Sequence, residues 1–395
     1  MTGRSSAQGE TPARAVSSPR LIAWEVTRYC LLKCKHCRAS AQPQASAGEL
    51  TTQEFGATID NIASFARPII ILTGGEPMLR SDIYEIASYA ASKALPVVMS
   101  PCGMLVSDET VAKIKAAGIR RISISIDGAT AKSHDEFRGV AGSFDGCLRG
   151  IEAARRGGLD FQINTTISRH NVQELGAILE LAIELGASVF NPFLLVPTGR
   201  GKELADQELS PQQYERTLHW LADQQARKDI RIRVTCAPHY FRILRQRPKA
   251  GGDAAPRSGA PRAGGQGAGQ SQPRAAGPQG HSHDMIAGPA PVLPFATGCL
   301  GGKSFAFISH RGRVQICGFM DVECGDLRRE NYDFRKIWLE SKVFNQMRDV
   351  DSYHGRCGYC EFRTICGGCR ARAYALSGDY QAEEPFCVYR PQRRP

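Results

Sequence analysis

From Leu21 onward the chain alternates short apolar runs with amphipathic stretches. The runs are LIAWEVT (21–27), PIIILTGGEP (68–77), PVVMSPCG (96–103), RISISIDG (121–128), FQINTTIS (161–168) and SVFNPFLLVP (188–197). Each has the length of a strand and is rich in Ile, Val and Leu, the pattern of parallel strands buried on both faces. Between them lie amphipathic segments such as SDIYEIASYAASKA (81–94) and NVQELGAILELAIELGA (171–187). Several of these end at glycine, a common helix stop. Six strand–helix units predict an α/β fold, a partial (β/α)6 barrel, with an open doubly wound sheet as the competing architecture.

The pattern fails in three places. Residues 1–20 are polar and Ser/Arg-rich and read as a disordered tail. Residues 247–294 are rich in Gly, Ala, Pro and Gln without apolar periodicity, and read as a flexible insertion. Residues 295–395 combine short strands in SFAFISHRGRVQIC with one helix over FRKIWLESKVFNQMRD. The expected division is tail 1–20, barrel 21–246, insertion 247–294 and a small cysteine-rich domain 295–395. That last region holds eight of the chain's 14 cysteines, so metal sites rather than a core alone are expected to hold it together.

Composition sharpens this. The N-terminal residues carry no signal-peptide core, and no stretch is long and apolar enough to span a bilayer. The expectation is a cytoplasmic protein without a membrane partner, in which clustered cysteines bind metal rather than form disulfides. Formal net charge is +11. No helix-turn-helix or RNP-like signature accompanies it, so no nucleic-acid partner is expected. An anionic substrate bearing several carboxylates is the other reading of the charge. Arg242, Arg245 and Arg247 give one segment a cationic face suited to it.

In such barrels chemistry sits at the C-terminal ends of the strands, and each unusual short motif falls there. CLLKCKHC (30–37) follows the first strand and places Cys30, Cys34 and Cys37 on one loop. Three thiolates are one short of a closed tetrahedral or four-iron ligand set, which leaves one metal position open. Gly74-Gly75-Glu76-Pro77 follows the second strand and brings bare backbone and a carboxylate to the same end. SIDG closes the fourth strand with Ser125 and Asp127, Asn164 lies in the fifth, and PTGRG with Arg200 follows the sixth. In the C-terminal region Cys357, Cys360, Cys366 and Cys387 supply four thiolates. Their spacing alone favours zinc, with a four-iron cluster as the alternative. Cys236-x2-His239 is a further pair able to touch a metal. Cys102 and Cys147 read as small buried hydrophobes.

C-x3-C-x2-C after strand one, with GGEP after strand two, resembles the radical S-adenosylmethionine (radical SAM) superfamily. The resemblance implies a 4Fe-4S cluster on Cys30, Cys34 and Cys37 whose open iron chelates SAM, and a 5′-deoxyadenosyl radical that abstracts hydrogen from substrate. It implies cofactor contacts at Gly74, Gly75, Glu76, Ser125, Asp127, Asn164 and Arg200. His36 stands where many members carry an aromatic residue. The C-terminal cysteines resemble the SPASM extension. This implies an auxiliary 4Fe-4S cluster on Cys357, Cys360, Cys366 and Cys387, and leaves open a second on Cys299, Cys317, Cys324 and Cys369. The two-residue gap between Cys366 and Cys369 departs from that pattern.

The stretches RLIAWEVTRYC, FQINTTISRHN, FLLVPTGRG, TCAPHY and CGGCRARAYALSGDYQAEEPFCVY resemble the heme synthases of the siroheme-dependent pathway (AhbD type). For these the implied reaction is oxidative decarboxylation of two propionates of iron-coproporphyrin III to vinyls. A low-potential electron donor such as a ferredoxin or flavodoxin is implied with it. Sister tetrapyrrole enzymes (the heme d1 or didecarboxysiroheme step) and SPASM peptide maturases are the competing readings.

Overall fold

The computed structural model describes residues 16–225, 227, 230–247 and 298–392. Seven parallel strands follow the chain: β1 (Leu21–Glu25), β2 (Ile69–Thr73), β3 (Val97–Met99), β4 (Ile119–Ser125), β5 (Asp160–Ile167), β6 (Val189–Leu194) and β7 (Arg231–Ile232). Three more come from the C-terminal region: β8 (Phe305–Ile308), β9 (Arg313–Cys317) and β10 (Met320–Asp326). The sheet order is β10-β9-β8-β1-β2-β3-β4-β5-β6-β7. Strands β1 to β7 neighbour one another in chain order, without the reversal that defines a doubly wound sheet. This is the winding of a barrel, left unclosed because β7 and β10 end the sheet.

The six apolar runs all become strands. Strand β5 shows why: Phe161, Ile163 and Ile167 point into the core, while Gln162, Asn164 and Thr166 are half-buried on the other face. The core packs Ile22, Leu72, Ile122 and Ile163 from strands against Ile59, Ile86, Ile151 and Leu218 from helices. Those helices start where polar caps allow. Thr51 and Glu54 form a capping box at Thr52–Phe65, and Ser210 with Gln213 does the same before Pro211.

Several expectations change. Strand β7 has only two residues and no apolar run to announce it. The single helix expected over FRKIWLESKVFNQMRD is two, Phe334–Glu340 and Lys342–Arg348. Ser341 leaves the helical region between them and caps the second with its hydroxyl. Residues 1–15 of the expected tail lie outside the described residues. Residues 17–20 are held: Ser17 donates to the Lys303 carbonyl and accepts from Trp338 Nε1, and Arg20 N–H donates to Ser304. The expected insertion lies outside the described residues from 248 onward.

The C-terminal region shares the barrel's sheet. Strand β8 pairs in parallel with β1, Leu21 to Trp24 against Phe305 to Ile308, and β9 and β10 continue antiparallel. At the end of this seam Glu25 is wholly buried. It accepts from His310 Nδ1 at 2.8 Å, Arg38 Nη1 at 2.9 Å and Arg28 Nε at 3.1 Å. Burial would raise the Glu25 carboxyl, but the His310 hydrogen bond and the Arg38 and Arg28 cations outweigh it and hold it near 2.

That depressed value stabilises the fold above the carboxyl's ordinary value of 4.5, and the contribution fades as pH falls through about 2. Glu25→Gln should lower the unfolding free energy near neutral pH by up to about 3 kcal/mol. It should also flatten the acid limb between those two pH values. Urea unfolding of the metal-free chain across that range checks both.

Candidate active site

The loop after β1 carries the three cysteines, and two glycine motifs grip it. Gly75 N–H donates to the Thr27 carbonyl and Glu76 N–H to the Tyr29 carbonyl, both at 2.7 Å. A Cβ on Gly74 or Gly75 would collide with the Thr27 or Tyr29 carbonyl oxygen. The glycines therefore permit backbone-to-backbone contact with the loop. On the other side Gly199 packs on the Cys37 and Arg38 carbonyls, and Arg200 N–H donates to Cys37 at 3.0 Å.

Held this way, Cys30 and Cys34 are buried and Cys37 half-buried, packed with Leu32, Ala41 and Cys102. Each sulfur meets a donor. Leu32 N–H lies 3.4 Å from Cys30 Sγ, Ala41 N–H 3.4 Å from Cys37 Sγ and Arg138 Nη1 3.7 Å from Cys34 Sγ. Burial pushes the Cys30 thiol up to about 12. Thiolates in such a place need a metal charge to balance them, which a cluster provides. The donor set thus fits an iron–sulfur group with one position open.

The other expected cofactor residues divide. Ser125 ends β4 opposite Asn164 on β5, and Asn164 stands opposite Asn191 on β6. Asn191 Nδ2 donates to Asn164 Oδ1 at 3.2 Å, and Thr235 Oγ1 to Asn191 Oδ1 at 2.9 Å. The four make one half-buried polar row across the sheet. Asn191 and Thr235 escaped the sequence reading, although the period-two register of FQINTTIS and SVFNPFLL was the signal for Asn191.

Glu76, Asp127 and Arg200, also expected at the cofactor, have partners within the protein. The Glu76 carboxylate is fully buried and accepts from the backbone N–H of Met78 and Cys102. Asp127 is also fully buried. It pairs with Arg138 Nη2 at 2.5 Å and accepts from Thr166 N–H at 2.6 Å. Burial would raise its carboxyl, but the Arg138 guanidinium, with the Thr166 N–H, holds it below the usual range. Arg138 therefore bridges the Asp127 carboxylate and the Cys34 sulfur. Arg200 donates to the Cys34 and Ala41 carbonyls at 3.0 and 2.6 Å, fixing the loop. His36 does an aromatic's work: its ring stacks on Phe137 at 4.1 Å, and burial keeps it neutral, near 3.

In the C-terminal region Cys357, Cys360, Cys366 and Cys387 all line one cavity. Their sulfurs also meet donors: Phe362 N–H for Cys360, Gly368 N–H for Cys366, and Glu384 N–H with Arg370 Nη2 for Cys357, at 3.4 to 3.5 Å. This donor set fits a fully ligated cluster. The second expected group has a further neighbour. Cys299, Cys317, Cys324 and Cys236 all pack against one apolar cluster that includes Cys369. Cys324 also lies beside Ser341, Arg348 and Glu323. Spacing could not find Cys236, because the fold brings it across from the end of the barrel. All 14 cysteines are free of disulfides. Among the described residues no three His, Cys, Asp or Glu side chains converge on a single metal ion. A cube spreads its ligand sulfurs more widely than one zinc ion does. No helix among the described residues is long and apolar enough to cross a membrane.

The expected cationic face at 242–247 is mostly engaged. Arg242 is buried against Glu215, and Arg247 bonds the His219 carbonyl and Asp223, which leaves Arg245 exposed.

Removing Arg138 would strand the buried Asp127 charge. Arg138→Met should cost about 3–5 kcal/mol, and adding Asp127→Asn should recover part of it. Urea unfolding of the two variants beside the parent checks this.

The radical SAM superfamily pattern matches residues 24–182. The chain is 44% identical to the AdoMet-dependent heme synthase of Methanosarcina barkeri, over 96% of this chain and 99% of that one. It is 45% identical to the AdoMet-dependent heme synthase of Nitratidesulfovibrio vulgaris, over 95% and 93%. The Fe-coproporphyrin III synthase of M. barkeri is more distant, 27% identical over 93% and 87%. Among solved structures, Streptococcus suis SuiB bound to S-adenosylmethionine superposes with a TM-score of 0.68 at 14% identity, over 95% of this chain and 78% of that one. That likeness bears on the fold, a radical SAM barrel followed by a cysteine-rich region. With its three-cysteine loop and two full-length relatives above 40% identity, this chain belongs to the radical SAM superfamily and, within it, to the family of AdoMet-dependent heme synthases.

Proposed function

We propose that this enzyme converts two propionate side chains of iron-coproporphyrin III to vinyl groups, giving heme b. The observation that carries the reading is the span of the likeness to the heme synthases, which takes in the barrel and the cysteine-rich region together. Each conversion removes carbon dioxide, one hydrogen atom and one further electron from the substrate. Bound at the Cys30–Cys37 loop, a 4Fe-4S cluster and S-adenosylmethionine supply the acceptor for that hydrogen atom, with reducing power from a low-potential donor such as a ferredoxin or flavodoxin.

The chain's residues take distinct parts. Cys30, Cys34 and Cys37 hold the cluster, and the Leu32, Ala41 and Arg138 N–H groups balance charge on their sulfurs. The Gly74 and Gly75 carbonyls accept no hydrogen bond among the described residues and suit an ammonium group. Ser125, Asn164, Asn191 and Thr235 offer neutral donors and acceptors to a ribose or carboxylate. Glu76, Asp127 and Arg200 position the surrounding loops. Cys357, Cys360, Cys366 and Cys387 would hold an auxiliary cluster, which would supply a one-electron acceptor for the further electron, since a centre closed by four thiolates has no position for substrate. Cys299, Cys317, Cys369 and Cys236 make a second such thiol group. Cys236 sits at φ +60°, which glycine would take without strain.

The deciding experiment is anaerobic. Reconstituted protein with S-adenosylmethionine, a strong reductant and iron-coproporphyrin III should give a mono-vinyl product and then protoheme by mass spectrometry. Unchanged porphyrin beside steady deoxyadenosine release would refute the substrate. Cys30→Ala should abolish S-adenosylmethionine cleavage. Cys360→Ala should retain some cleavage and lose vinyl formation, and normal heme from it would remove the electron-exit role.

A further inference from the structure

One side chain at the Cys357–Cys360–Cys366–Cys387 cavity has no part in the account above. His239 opens the helix His239–Gln246, lines that cavity and is wholly buried. Neither ring nitrogen has a hydrogen-bond partner among the described residues. Its ring meets Tyr214 edge-on at 5.1 Å, an apolar contact that satisfies neither nitrogen. An imidazole always carries at least one N–H donor, and a buried donor without a partner is costly.

The cavity's carboxylates are already taken. Glu384 accepts from the Cys369 and Phe386 N–H groups, and Glu383 accepts from Arg356. The side-chain acceptors that remain in the lining are the cysteine sulfurs and the Tyr389 hydroxyl, which donates to Glu361, and the four sulfurs are the more numerous. Three of those four sulfurs already meet backbone donors. An N–H from His239 would extend the same pattern from the barrel side of the cavity.

We infer that His239 donates its ring N–H to a sulfur of the cluster held by Cys357, Cys360, Cys366 and Cys387, and so raises that cluster's reduction potential. This rests on the reading that those four cysteines hold a cluster. His239 acts as a donor and not as a ligand, because four thiolates complete the cube. Reduction adds negative charge to the cluster, and a donor at sulfur favours the reduced form. Cys236, three residues earlier, faces the other group of cysteines. The segment TCAPHY thus brings a sulfur to one pocket and a donor to the next.

The test uses full-length, anaerobically reconstituted protein with 15N-labelled histidine. Hyperfine spectra of the reduced wild-type protein should show a weak histidine-nitrogen coupling that shifts with the label and is missing from His239→Phe. In redox titration His239→Phe should make reduction of that cluster about tenfold less favourable, about 59 mV for a one-electron couple. His239→Gln, which keeps an N–H, should recover part of that loss. A wild-type cluster without histidine coupling, or a His239→Phe cluster at wild-type potential, overturns the inference. A Cys30→Ala/Cys34→Ala/Cys37→Ala chain lacks the first cluster, beside which His36 lies, and a coupling that disappears from its spectrum overturns the inference. Iron analysis of a Cys30→Ala/Cys34→Ala/Cys37→Ala chain separates the two readings. If adding Cys360→Ala to that chain removes no further iron, the auxiliary-cluster reading fails; if it removes a cluster that ignores His239, only this inference fails.

Discussion

A buried guanidinium ties the cysteine-rich region to the far end of the barrel's sheet. Arg372, on the C-terminal helix Arg370–Ser377, is fully buried. It donates to the Leu194, Leu195 and Cys236 carbonyls and to the Tyr214 hydroxyl, and pairs with Glu208 and Glu384. Taking such a charge out of water costs several kcal/mol, offset only when its N–H groups find partners in good geometry. Here the partners come from the end of β6, from the turn at Cys236 and from the C-terminal region. The chain leaving β6 runs directly into Gly199 and Arg200, which grip the Cys30–Cys37 loop. The loop and the C-terminal cysteine pockets are therefore registered to one another through hydrogen-bonded backbone, the rigid support that transfer between two centres needs.

This changes the meaning of the chain's positive charge. A net charge of +11 invites the picture of an open cationic surface awaiting carboxylates. Four of the chain's arginines are instead interior. Arg138, Arg242, Arg370 and Arg372 are all buried, and each neutralises a carboxylate, a thiol or a row of carbonyls. Cysteine-lined pockets explain the need. Buried thiolates are anionic, and planar guanidinium groups bridge them to carboxylates and carbonyls with fixed geometry. Composition counts charges but cannot tell which ones face inward, so charge alone carries no weight for the substrate.

The strands and the motif positions were legible because they rest on local pattern. Apolar runs of strand length mark the parallel core, and the motifs fall where the strands end. Cys357, Cys360 and Cys366 were legible as neighbours for the same reason, since short spacing brings them together, whereas Cys387 reaches the same cavity from farther along the chain. What was not legible depends on where side chains turn. Glu76 and Asp127 read as cofactor contacts because a carboxylate beside a metal motif usually faces the site. Here backbone N–H groups and Arg138 had already claimed them. Cys236 was not legible as a neighbour of Cys299, Cys317 and Cys369 because a contact across the sheet leaves no trace in spacing. The glycines of GGEP have an immediate task in letting two backbones touch.

The domain boundary suggested by composition is also a matter of side chains rather than backbone. An unclosed barrel leaves the N–H and C=O groups of its first strand exposed on one edge, an invitation to pair with another chain. Strand β8 takes that edge, and β9 and β10 extend it. The residues that look least like barrel in the sequence thus finish the barrel's sheet. Glu25, at the end of β1, meets His310 just past β8 and Arg38 just past the cysteine loop. The strand that leads into the three-cysteine loop is thereby fixed on both edges, by β2 and by β8. An expressed barrel without residues 298–392 would lose this pairing together with Arg372. The cysteine-rich region is for that reason part of the radical site's scaffold as well as the holder of its own thiol pockets.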